Sequence, residues 1–126
     1  MMILNINQIK FKKIRNLGNF LFFQSNLTDI EDNFIFGNKI NDTASMFSDC
    51  YNLTTVPNFD TSNVINMSSM FAYCGEKLTT VPNFNTSNVI NMAYMFGGSQ
   101  FLTDVPNFNT INVINMSSMF EHCLIL

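Results

Sequence analysis

Catalysis and metal binding need groups that trade protons, attack a substrate or hold an ion, and this chain offers few. His122 is its one histidine, with Cys123 beside it. A nucleophilic pair also needs a third group to orient the base. The nine carboxylates are scattered, and the densest group, Asp29, Glu31 and Asp32, reads as a solvated edge rather than an ion site. Cys50, Cys74 and Cys123 lack the paired spacing of a zinc site. Gly97-Gly98 follows a helical pattern instead of opening one, so it makes no phosphate loop. No catalytic residue, metal site or cofactor is expected, and the chain does not read as an enzyme.

Other groups have structural readings. Met67, Met70, Met92, Met95, Met116 and Met119 recur at helical steps and are expected inside, filling gaps of varying shape. The cysteines recur three residues after a Met-Phe pair, with Ser99 in the intervening copy, so they read as small buried fillers. A Cys50–Cys74 bridge is the alternative. Asn-x-Ser/Thr sequences at Asn26, Asn41, Asn52, Asn66, Asn85 and Asn115 are expected from a chain this rich in those residues. The Asn58/Asn83/Asn107 and Asn66/Asn91/Asn115 columns read instead as amides that hydrogen-bond along a stack.

With a net charge of −3, the chain lacks the clustered cations of a nucleic-acid groove. Lys10, Lys12, Lys13 and Arg15 form one basic stretch, read as a solvated face, with an electrostatic contact to anionic lipid or an acidic polymer as the alternative. Phe20-Leu21-Phe22-Phe23 is too short to cross a bilayer, and the opening Met1-Met2-Ile3-Leu4-Asn5 lacks the order of a secretion signal. Apolar residues make up 47% and charged residues 12%, a balance that buries a core.

What organises these residues is repetition. Leu53 returns as Leu78 and Leu102, Pro57 as Pro82 and Pro106, and Met70-Phe71 as Met95-Phe96 and Met119-Phe120, a period of 24 or 25 residues. No such unit can bury its apolar face alone, so each must stack on a neighbour. Leu53, Val56 and Phe59 suggest a short extended segment ended by Pro57, which cannot donate to a neighbouring strand. Asp60-Thr61-Ser62-Asn63 then offers helix caps ahead of Val64, Met67, Met70 and Phe71. The expected class is therefore α/β, a leucine-rich-repeat-like solenoid with one short parallel strand and one short helix per repeat. Residues 1–45 are expected to hold degenerate repeats or a cap, and 46–126 regular repeats with the last one truncated.

The string Leu-x-x-Val-Pro-x-Phe-Asp/Asn-Thr-x-Asn-Val-x-Asn-Met-x-x-Met-Phe-x-x-Cys, from Leu53 to Cys74 and again from Leu78 and Leu102, resembles BspA-like leucine-rich-repeat surface proteins. These include mycoplasma repeats grouped as a domain of unknown function. The resemblance implies a curved right-handed solenoid, adhesion or protein binding, and a place at the bacterial cell surface or outside the cell. Without a secretion signal the chain, if complete, would stay in the cytoplasm. The expected partner is a protein or an extracellular matrix component, met by an outward strip of Asp29, Thr55, Thr80 and Asp104. End-to-end self-association, or a place in a longer array without its own binding role, is the alternative.

Overall fold

In a computed structural model of the chain, residues 2–4, 18–20, 24, 27–30 and 40–126 are described. Strands β1 (Met2–Leu4) and β2 (Leu27–Ile30) pair in parallel, with a register shift between Met2 and Ile3. From Asp42 onward the chain repeats one backbone device four times, at Asp42–Cys50, Asn66–Cys74, Asn91–Ser99 and Asn115–Cys123. Parallel bridges link Asp42, Asn66, Asn91 and Asn115 in sequence.

The device is a run of tight turns in which alternate N–H groups serve different partners. In the second copy, Met70, Ala72 and Cys74 donate to the carbonyls of Met67, Ser69 and Phe71, three residues back. The N–H groups between them point the other way along the stack. Met67, Ser69, Phe71 and Tyr73 donate to Asn91, Ala93, Met95 and Gly97 of the next copy, each at 2.9 Å. The same four-bond pattern joins the first copy to the second and the third to the fourth. Two residues per copy take left-handed backbone angles, Ser69 (φ 55°) and Tyr73 (φ 54°) here, and their equivalents do so in the others. This conformation costs an L-residue about 1–2 kcal/mol. The bonds across the interface offset it.

The expected α/β leucine-rich-repeat solenoid does not form. Among the described residues there is no helix, and the only strands are β1 and β2. The segments expected to be helical, around Val64–Phe71 and its copies, are these turns, and the segments around Leu53–Val56 are not strands. Apolar steps of three fit a chain of three-residue turns as well as a helix. A helix would also spend every N–H on its own segment, whereas here half of them are claimed by the neighbouring copy.

Equivalent side chains meet in columns. Phe47, Phe71, Phe96 and Phe120 stack nearly parallel, with ring centroids 5.3, 5.8 and 5.7 Å apart. Phe59, Phe84 and Phe108 flank them at 5.9, 6.1 and 6.3 Å. Met46, Met67, Met70, Met92 and Met95 are fully buried, as are Leu53 and Val64. Val56 and Val81 are buried and Val105 is half-buried. Among the described residues every buried side-chain nitrogen or oxygen has a hydrogen-bond partner.

Truncation of the ring column should cost most at its centre. Phe71→Ala is expected to lose about 3–5 kcal/mol, and Phe120→Ala, whose ring is already 41% exposed, about 1–2 kcal/mol. Urea unfolding followed by circular dichroism measures both, and equal losses would remove the stacked rings as the centre of the core.

Candidate binding face

Side chains along the repeats settle into distinct jobs, and the jobs decide what is left to meet a partner. Asn66, Asn91 and Asn115 turn their Oδ1 atoms back to accept from the N–H two residues on, at 3.0 Å in each case. Asp42 accepts from Ala44 in the same way, which is why a carboxylate can replace the amide. These amides therefore do not run along the stack as expected. Amides that do include Asn88 and Asn112, which donate to the carbonyls of Ser62 and Ser87 at 2.7 Å. Buried Thr61 and Thr86 donate across the stack to the carbonyls of Asn85 and Asn109 at 2.8 Å.

The cysteines are free thiols, Cys50 and Cys74 buried and Cys123 half-buried. Cys74 donates to the carbonyl of Phe47, Ser99 to that of Phe71 at 2.6 Å, and Cys123 to that of Phe96 at 3.1 Å. A small donor is what this column requires, and it explains why serine stands in for cysteine. Burial pushes the Cys50 thiol up to about 11, with hydrogen bonding to the Gln24 backbone pulling against it. Burial also raises Cys74 and Cys123. Each is shifted away from the thiolate a nucleophile needs.

The expected partner strip is placed as follows. Thr55, Thr80 and Asp104 are exposed, and Pro57, Pro82 and Pro106 beside them are half-buried. The backbone of Asp29 lies in β2 opposite Ile3. Its side chain lies outside the described residues. Next to this strip, and unforeseen from the sequence, is an open groove of about 540 Å³ crossing three copies. Asn58, Asn83 and Asn107 line it together with Asp60, Asn85 and Asn109. Two hydrogen bonds from Ser62, through its hydroxyl and its N–H, hold the Asp60 carboxyl below its usual range. The signal for the groove was in the repeat itself, since one polar residue on either side of a buried Phe makes a trough when copies stack. A smaller cleft of about 250 Å³ lies among Tyr51, Tyr73, Gly98 and Phe101. Gly98, at φ +74°, leaves room there for the Tyr73 ring, which a Cβ would strike.

Residues 41–126 match the family model described as Mycoplasma protein of unknown function, DUF285. The chain belongs to this family. No curated protein and no solved structure matches it. The match begins where the DUF285 chain starts its regular turns, at Asn41 and Asp42. Among the described residues no group of three or more His, Cys, Asp or Glu side chains could hold a metal ion, and no helix is long and apolar enough to cross a membrane.

The thiol environment fixes a pH response. A thiol whose folded pKa is raised stabilises the fold fully below its unfolded value, and that contribution is lost as pH rises through the folded value. For Cys50 the window runs from the ordinary 9.0 to about 11. The melting temperature should therefore fall over that range, and fall less in Cys50→Ser; a flat profile would show that the thiol is not held in a dry site. Iodoacetamide at neutral pH should label Cys50 and Cys74 only after urea is added.

Proposed function

We propose that this chain is a non-catalytic binding module that presents equivalent groups, one set per copy, to another protein or an extracellular matrix component at the bacterial cell surface. The observation that carries this reading is the groove across three copies, flanked by exposed Thr55, Thr80 and Asp104. A surface repeated at one spacing offers an extended partner several weak, similar contacts at once, and together these give binding that no single contact supplies. The sequence resemblance to BspA-like surface proteins points to the same role and to the same cellular location.

The reactive residues are consistent with a module that performs no chemistry. His122 is exposed, and its Nε2 lies 3.5 Å from the carboxylate of its neighbour Glu121. The adjacent Cys123 donates to a backbone carbonyl of the preceding copy.

The test is retention of the purified chain on an immobilised layer of basement-membrane proteins. The unaltered chain should be retained, and Thr80→Lys with Asp104→Lys should lose at least about tenfold in affinity. The melt should stay nearly unchanged, because both side chains are exposed. Equal retention of the double variant would remove this face, and no retention of the unaltered chain would remove the partner class.

A further inference from the structure

The groove beside the partner strip repeats one arrangement three times. In each copy the N–H of a phenylalanine closes a three-residue turn on the carbonyl of the proline, Phe59 on Pro57 at 3.1 Å, and Phe84 on Pro82 and Phe108 on Pro106 at 2.9 Å. These turns place Asn58, Asn83 and Asn107 at their centres, and all three are exposed. Their side-chain amides make no hydrogen bond among the described residues. On the other side of each phenylalanine, Asp60, Asn85 and Asn109 spend Oδ1 on the N–H two residues on, at 3.0, 3.1 and 3.1 Å. Their second side-chain atom, a carboxylate oxygen in Asp60 and an amide nitrogen in Asn85 and Asn109, is unspent among the described residues.

The lining narrows the class of ligand. It holds no lysine, arginine or histidine, and Ser62 keeps its one carboxylate, Asp60, below the usual range and so charged. A nucleic acid or a sulfated polymer would meet that charge and no cation to offset its own. An apolar ligand gains little, because Phe59 and Phe84 beneath are buried. Spacing narrows it further, since the copies follow one another at the distance of paired backbones, about 5 Å. An extended peptide lying along the row turns a side chain to one face at about 6.6 Å and falls out of step with the copies. A ligand that keeps step is built from uncharged units one copy long whose groups both donate and accept. A pyranose ring linked through opposite carbons advances an extended glycan by nearly this step, and its hydroxyls suit amides, which carry an acceptor oxygen and two donor protons.

We propose that the groove binds an uncharged, extended pyranose glycan, one sugar per copy, hydrogen-bonded by Asn58, Asn83 and Asn107. This rests on the reading of the groove as part of the binding face, and it names the matrix component met there as carbohydrate. The walls are set before the ligand arrives, because Thr61 and Thr86 tie each copy to the carbonyls of Asn85 and Asn109 in the next at 2.8 Å. Ordering on binding therefore falls mainly on the glycan. One sugar makes too few bonds to be held alone, and three in register add their contributions.

The experiment is calorimetric titration of the full chain with straight glycans, cellotetraose and chitotetraose, beside maltotetraose as a bent control and a heparin tetrasaccharide as an anionic one. At least one straight glycan should bind, and its affinity should rise from the disaccharide to the trisaccharide. Asn83→Ala should weaken binding about fivefold, the worth of one net hydrogen bond. Asn58→Ala, Asn83→Ala and Asn107→Ala together should weaken it by about fiftyfold or more. The melt of both variants should stay nearly unchanged, because these side chains are exposed and make no hydrogen bond among the described residues. Retention on the layer of basement-membrane proteins is measured in parallel.

No binding of either straight glycan by a chain that is still retained on the protein layer would overturn the glycan and leave the binding face standing. Neither binding nor retention would overturn both. Equal binding by the triple variant would remove the asparagine row as the site. Equal binding of maltotetraose would overturn one sugar per copy, and equal binding of the heparin fragment would overturn the uncharged class.

Discussion

The structure depends on a division of labour among backbone N–H groups. Within each copy every second N–H closes a tight turn, and in the first three copies the ones between cross to the neighbouring copy. Neither set suffices alone. Three-residue turns without the crossing bonds would leave half the donors of a buried segment unpaired, a cost of about 1–3 kcal/mol for each. Crossing bonds without the turns would give long flat strands. Together they pair the backbone in both directions, along the chain and along the stack, and they fix the distance at which the phenylalanine rings meet.

That constraint explains the choice of residues. Left-handed angles at Ser45, Ser69, Tyr94 and Ser118 steer alternate N–H groups out of the turn. Aspartate or asparagine opens each turn because its side chain can accept from the residue two positions on. Cysteine or serine closes it because a small donor must reach the carbonyl of the preceding copy. The phenylalanine and methionine columns then fill the interior with little need for charge, which fits a chain with only 12% charged residues. Other positions face solvent beside these columns. These include Thr55, Thr80 and Asp104, and next to them the groove asparagines Asn58, Asn83 and Asn107.

Much of the arrangement was legible in the sequence, and the part that was not has a physical cause. The period, the equivalence of Leu53, Leu78 and Leu102, the burial of Met70 and Met95 and the exposure of Thr55, Thr80 and Asp104 all follow from repetition plus hydropathy. The helix expected at Val64–Phe71 is absent because spacing reports which residues face inward and not where their N–H groups bond. The groove is not legible in one copy, because Asn58 and Asp60 look like ordinary loop residues until three copies lie side by side.

By itself the sequence determined that near-identical units must cover one another, since no 24-residue unit carries enough apolar surface to offset its own loss of chain entropy. It also determined which side chains do the covering. Only the tertiary structure decided how the backbone meets that demand. A hydrogen bond from Phe71 to Met95 and one closing a helical turn are equally compatible with the same letters. The choice between them is settled by whether a neighbouring copy's carbonyl lies within reach.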